Sequence, residues 1–330
     1  MDVNNSTIGA ELSYTERISI GVLFSLVSYF AIFLHILSLI AVFRAPGTKK
    51  SAFHIMLGNM SMAEMTLFIL YGFYAAPCAF TGEKILGDIF NEMIGHLQEW
   101  AYFPTSYTTM MMAVNRAAAI ARFDLPIHSD KQLTCLYLAL LGTWVVSIAL
   151  TTFNMYFYNC WTTFDGTNSF IFKQVCTDGN RPPVSPSIII DYFVIYGVAV
   201  LYAYCVWKIW LQRNQVQEVG IQARISERQK RLFYQCAFIW VPTMINPIAF
   251  IVIPLLLRGF AAAMVIVVAV LFRFFVTPIS ILLFSRGARR RAVAMLKCKH
   301  IDDGDKAQTA GPISHVASIN RTTSFRPGGN

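Results

Sequence analysis

The sequence predicts an all-α membrane protein, a seven-transmembrane helix bundle, and three observations carry that prediction. The 330-residue chain is 55% hydrophobic and only 14% charged, with a mean hydropathy of +0.51, which leaves too little polar surface for a soluble protein of this length. Seven apolar runs, each near the roughly 20 residues a helix needs to cross a bilayer core, are separated by polar or basic breaks. Lysine and arginine crowd into alternate breaks, and such loops resist translocation.

The runs are Ile18–Phe43, Ala52–Pro77, Gly95–Ala121, Leu133–Phe157, Ser187–Trp210, Leu232–Leu257 and Phe260–Phe284. The third departs most from the apolar pattern, because it carries His96, Gln98 and Glu99. Of the 27 basic side chains, 20 lie on one side: Arg44, Lys49 and Lys50, then Arg122 and Lys131, then six from Lys208 to Arg231, and nine after Phe284. Only Arg17, Lys84, Lys173, Arg181 and Arg258 lie opposite. The amino terminus is therefore expected outside and the carboxyl terminus in the cytoplasm, which requires an odd number of spans. Residues 1–17 form an external tail, 18–284 the bundle, 285–298 a surface helix and 299–330 a disordered cytoplasmic tail. Ile18–Phe43 is too long for a cleaved signal core and acts as a signal anchor. Asn4 and Asn5 begin overlapping glycosylation acceptors on the external tail. The acceptor pattern at Asn59 falls inside a span, where it has no use.

The net charge of +9 does not point to nucleic acid, because the basic residues sit between apolar runs rather than on one exposed face. Seven cysteines, none in a metal-binding spacing, exclude a disulfide scaffold and a zinc module. No cofactor is called for.

Ionisable groups at mid-membrane depth are costly and need a partner or a purpose. Glu64 lies about 18 Å from the cytoplasmic start of its helix and Arg273 about 17 Å from the cytoplasmic end of the last. Their matched depths predict an interhelical ion pair, with His35, about 12 Å deep, as a third member. Such a pair either fixes packing or switches conformation. On the third span, Gln98, Glu99, Tyr102 and Ser106 follow helical spacing into the membrane, the arrangement of a ligand cavity between helices; a solvent-wetted helix end is the other reading, favoured for His96. Asn115-Arg116 lies near the cytoplasmic end of this span, where the arginine either snorkels to headgroups or meets a partner. Trp240-Val241-Pro242 in the sixth span and Thr277-Pro278 in the seventh place prolines where helices kink and pivot.

Beyond Phe284, arginines on one side and Val293, Met295 and Leu296 on the other suit a helix on an anionic leaflet, with Cys298 placed for acylation. Thr322, Thr323 and Ser324 are phosphate acceptors or plain solvated linker. Cys78, Cys160 and Cys176 face the oxidising side. One pair closes, and all three pairings remain open.

Taken together, the spans and motifs resemble a rhodopsin-like G-protein-coupled receptor. Arg116 matches the arginine of the third-helix Asp/Glu-Arg-Tyr element, Glu64 the second-helix aspartate, Trp144 the fourth-helix tryptophan, Trp240 and Pro242 the sixth-helix toggle, and Pro278 the proline of Asn-Pro-x-x-Tyr. Asn115, Ala117, Thr277 and Ile281 depart from those patterns. Asn91 stands at the position of the third-helix cysteine, so the usual disulfide to the long loop is missing. This degeneracy is similar to that of nematode serpentine chemoreceptors, class X in particular, through Lys50-Ser51-Ala52-Phe53, the Asn-Arg pair, Cys160 and Cys176 followed by Asp191-Tyr192-Phe193, and Arg231-Leu232-Phe233-Tyr234-Gln235-Cys236.

The resemblance implies a chemosensory receptor in the plasma membrane or a sensory cilium, binding a small diffusible molecule or peptide and activating a heterotrimeric G protein. Arrestin and a kinase would act at the tail. The alternative is a transporter or channel relaying charge through Glu64, Arg273 and His35, but the paired broken helices of internal repeats are not visible. A retinal protein would need a lysine in the last span, which has none. An intramembrane enzyme would need a nucleophile or metal set that the spans do not supply.

Overall fold

The computed structural model describes residues 13–44, 52–121, 130–166, 170–176, 186–215 and 220–297. The glycosylation candidates Asn4 and Asn5, the acylation candidate Cys298 and the tail from 299 onward lie outside these residues.

Helix α1 spans Tyr14–Phe43. It begins before Ile18 because Ser13 and Glu16 form a capping box: the Ser13 hydroxyl accepts from the Glu16 N–H, and the Glu16 carboxylate accepts from the Ser13 N–H at 2.8 Å. Helix α2 (Ala52–Leu70) runs through a π-helical turn (Tyr71–Ala75) into α3 (Ala76–Thr81). Pro77 accounts for the widened turn, since it offers no N–H to the carbonyl four residues back and its ring crowds that carbonyl.

Helix α4 (Gly87–Ile120) is the third span and starts about two turns before Gly95. Helix α5 (Asp130–Tyr158) leads into a hairpin of β1 (Cys160–Phe164) and β2 (Phe172–Cys176). The bundle closes with α6 (Pro186–Gln215), α7 (Gly220–Leu256) and α8 (Gly259–Phe284), and α9 (Arg286–Leu296) follows. Helix α7 begins about three turns before Leu232. Hydropathy locates only the lipid-crossing part of a helix, and the polar extensions of α4 and α7 escape it.

Among the described residues, five segments are long and apolar enough to cross a membrane: Tyr14–Phe43, Ala52–Thr81, Lys131–Tyr158, Ile189–Leu211 and Gly259–Phe284. The other two long helices, α4 and α7, carry respectively a Ser/Thr/Tyr-rich stripe and a charged amino-terminal stretch. The outer surface of the bundle is apolar: Leu26, Phe30 and Phe33 of α1 and Leu138, Leu141 and Val145 of α5 are exposed, as lipid-facing side chains must be.

Helix α4 is central, packing on α2, α5, α6, α7 and β1. The apolar interior is divided in two. One cluster, at the hairpin end, includes Phe24, Phe68, Tyr71, Phe164 and Phe274; the other, toward α9, includes Met56, Met112, Ile120, Tyr202 and Ala288. Between them along the helices lies a belt of buried polar groups: His35 of α1, Ser61 and Glu64 of α2, Thr105 to Thr109 of α4, and Thr277 and Ser280 of α8. Asn59 helps fix this level, donating to Thr108 Oγ1 at 2.9 Å and accepting from Trp144 Nε1 at 3.0 Å, so that α2, α4 and α5 share one amide.

Candidate ligand-binding site

Helix α4 organises the site, although it contains a proline. Pro104 leaves the carbonyl of Trp100 without its helical donor, and Ser147 of α5 donates to it at 3.2 Å while also reaching the carbonyl of Glu99 at 3.2 Å. The freed backbone is thus satisfied by a neighbouring hydroxyl.

Three residues at intervals of four, Asn91, Gly95 and Glu99, grip the hairpin from one face of α4. Buried Asn91 mimics a strand, donating from Nδ2 to the Phe164 carbonyl at 3.1 Å and accepting from the Phe164 N–H at 3.0 Å. A Cβ added to Gly95 would lie 1.7 Å from the Thr162 carbonyl oxygen, so only glycine permits this approach. Glu99 accepts a hydrogen bond from Thr162 Oγ1. The loop is therefore tethered at the expected position, with two hydrogen bonds in place of a disulfide. The disulfide joins Cys160 to Cys176, which face each other in the hairpin register, while Cys78 is a buried free thiol. Lys173 and Asp165 pair at 2.7 Å near the turn. His96 packs against Trp161 with ring centroids 5.6 Å apart.

Deeper on α4, Tyr102 and Ser106 stand between two charges. Asp191 of α6 accepts from Tyr102 Oη at 2.8 Å and from Ser106 Oγ at 3.0 Å. Arg273 of α8 donates from Nη1 to Tyr102 Oη at 2.7 Å and from Nη2 to Ser106 Oγ at 3.2 Å. Each hydroxyl accepts from the guanidinium and donates to the carboxylate, so two parallel bridges link opposite charges. The guanidinium also lies 4.5 Å from the Tyr102 ring centroid and 5.2 Å from that of Phe274.

This arrangement corrects the expected ion pair. Arg273 turns to Tyr102 and Ser106, while Glu64 accepts from Thr277 Oγ1 at 2.9 Å. His35 does not join them as a third member, and its Nδ1 lies 2.7 Å from Ser61 Oγ. Matched depth placed the groups on one level but could not see Asp191, whose side of the bundle offers Arg273 two hydroxyls and a carboxylate.

Above this network is a cavity of about 390 Å³, within the range that small-molecule sites occupy. Helix α4 contributes Gln98, Glu99 and Tyr102, and the hairpin roofs it with Thr162, Phe172 and Gln174. Asp191 and Tyr192 of α6, with Asn246, Pro247 and Phe250 of α7, form the far wall. Phe274 and, from the π-helical turn, Tyr71 also line it. Ser106 is buried beneath it and is not part of the lining.

Toward α9, the Arg116 guanidinium sits 4.9 Å from the Phe53 ring centroid and within electrostatic reach of Tyr202 on α6 and Cys236 on α7. Asn115 beside it is half-buried. Trp240, two residues before Pro242, packs on Tyr202 with centroids 5.4 Å apart. Thr277 and Pro278 are buried against the polar belt. Tyr102 at the cavity and Arg116 are thus about 20 Å apart along α4, both beside α6 and α7.

Sequence reasoning did not identify Asp191 as a site residue, nor Pro104, Ser147 or the staple role of Asn91. Asp191 was the one carboxylate inside the fifth run, and its rarity there was the available signal.

Two comparisons bear on this geometry. The family model described as serpentine type 7TM GPCR chemoreceptor Srx matches residues 26–285. The crystal structure of squid rhodopsin superposes with a TM-score of 0.69 at 15% identity, covering 92% of this chain and 95% of that one, which shows a shared fold. Among curated proteins, none matches significantly.

Proposed function

Given that this chain belongs to the Srx family of serpentine seven-transmembrane G-protein-coupled chemoreceptors, we propose that the cavity beneath the hairpin receives a small diffusible ligand and controls G-protein coupling at the opposite end. The observation carrying this reading is the hydroxyl-bridged network at the cavity floor, which joins α4, α6 and α8 and reaches the cavity lining through Tyr102 and Asp191. The unequal distribution of basic residues supports placing the hairpin outside.

A ligand needs only unequal affinity for two arrangements of the bundle. Asn246, Pro247 and Phe250 bring α7 to the cavity wall, and Pro242 lies about one turn further along the same helix. Movement pivoting there carries the charged amino-terminal part of α7 away from Arg116 and opens a groove for a G-protein helix. Arg224, Arg228, Lys230 and Arg231 belong to that charged part of the sequence.

Helix α9 suits the anionic inner leaflet, with Ala288 and Ala292 buried against the bundle and Val293 and Leu296 exposed. In this reading Cys298 is acylated, Asn4 and Asn5 carry glycans, and Thr322, Thr323 and Ser324 recruit a kinase and then arrestin. The plasma membrane, at a sensory cilium, is the corresponding location.

Guanine-nucleotide exchange on a panel of G proteins, in membranes bearing this protein, tests the reading. Pooled small-molecule extracts should stimulate exchange with the native chain and not with Arg116→Ala at equal surface expression. Equal stimulation of both would remove Arg116 from the coupling site.

A further inference from the structure

The charges around the cavity define the ligand more narrowly. Two carboxylates, Glu99 and Asp191, stand in its wall, and among the described residues no lysine or arginine does. Arg273 lies below the floor, held from the cavity by Tyr102 and Ser106. A third carboxylate, Glu64, is buried beyond it. One guanidinium therefore stands among three acids, and the acids nearest the cavity face it.

The remaining surface suits the same partner. Each oxygen of half-buried Asp191 accepts one hydroxyl, and a carboxylate has roughly four acceptor positions, so capacity remains toward the cavity. Tyr71, Phe172, Tyr192 and Phe250 add aromatic faces to the lining, and such faces attract a cation and also bury an apolar body. An anionic ligand would meet two carboxylates with no cation in the described wall.

We propose that the cavity takes a small organic cation, an amine or quaternary ammonium on an aromatic or apolar body, whose charge is received by Asp191 and Glu99. This inference rests on reading the cavity as the ligand site. It also assigns a consequence to binding. A cation at the free acceptor positions of Asp191 neutralises the charge that the hydroxyl bridges present to Arg273, and Arg273 then has Glu64 as its alternative acceptor. Glu64 Oε2 has no hydrogen-bond partner among the described residues, and Glu64 lies within electrostatic reach of Arg273. Ligand charge is exchanged for resident charge, and α8 changes its partner from α6 to α2.

The test uses the full-length protein in lipid nanodiscs and needs no identified ligand. Gln98→Cys and, separately, Phe250→Cys place a thiol in the cavity wall. Reaction rates with a trimethylammonium-bearing methanethiosulfonate and with its sulfonate-bearing counterpart are measured, normalised to a free thiol, with the parent protein as background. The cation should be preferred by roughly tenfold or more, the scale expected where a low-dielectric cleft focuses the field of like charges. Asp191→Asn should lower that preference severalfold, and Asp191→Glu should retain it, separating charge from packing. Equal rates, a preference for the anion, or a preference indifferent to Asp191→Asn would overturn the assignment of ligand charge, leaving the receptor reading to stand on nucleotide exchange. Failure of either cysteine to react with any reagent would show that no open cavity exists and would overturn both.

Discussion

Arg273 and Asp191 form an ion pair without touching, because the hydroxyls of Tyr102 and Ser106 stand between them, each accepting from the guanidinium and donating to the carboxylate. The bridge spans three helices, α4, α6 and α8. Direct contact would lock the pair, whereas a hydroxyl can rotate about its C–O bond and change partner. The arrangement meets the demand that a buried charge be both paired and hydrogen-bonded.

The first prediction concerns this coupling. Tyr102→Phe and Ser106→Ala each remove one bridge, and each should destabilise the receptor by about 1–3 kcal/mol. In a cycle with Asp191→Asn their effects should be non-additive by about 0.5–3 kcal/mol. Thermal unfolding in nanodiscs reads both, and simple additivity would show that the bridges do not act as a unit.

The second concerns the hairpin. Gly95→Ala drives a methyl group into the Thr162 carbonyl, so the strand must move, while Asn91→Ala removes two hydrogen bonds and leaves the space open. Gly95→Ala should therefore be the more damaging of the two, judged by proteolysis within residues 160–176 in intact membranes. The opposite order would mean that the hairpin approaches α4 less closely than described.

The third concerns the proline in α4. Ser147→Ala should cost about 1–2 kcal/mol by stranding the Trp100 carbonyl. Pro104→Ala restores an N–H to that carbonyl, so the serine should matter much less in its background. A thermal-unfolding cycle decides, and an undiminished effect of Ser147→Ala would separate the serine from the proline.

The fourth concerns thiols. Cys160→Ser and Cys176→Ser should impair surface expression equally, since they lose the same bond, and Cys78→Ser should leave expression near normal. Unequal effects of the first two would implicate Cys78 in an alternative pairing.

Fold and class were legible from the sequence because lipid imposes a one-dimensional signature: seven runs, uneven basic loops and prolines at recognisable places. Helix starts were less legible where they are polar, although Ser13 and Glu16 carried a readable cap. Depth arithmetic set Glu64 and Arg273 on one level, yet depth says nothing of azimuth, and the guanidinium found Tyr102 and Ser106 instead. Glu99, Tyr102 and Ser106 were readable as a stripe; Glu99 and Tyr102 line the cavity with Gln98, whereas Ser106 is buried beneath it. Asp191 was harder, since its partners lie 85 or more residues away in sequence. Asn91 was noticed only as a missing cysteine; that an amide can hold a strand through its backbone groups becomes apparent only when Phe164 is beside it.

The central claim is that occupancy of the cavity governs Arg116-dependent coupling. The most direct measurement is extract-stimulated nucleotide exchange by Gln98→Cys receptor before and after a bulky thiol reagent fills the cavity, with Arg116→Ala alongside. Stimulation should be present before labelling, lost after it, restored by reducing the adduct, and absent throughout in Arg116→Ala. Stimulation that persists with the cavity filled, or survives Arg116→Ala, would contradict the account.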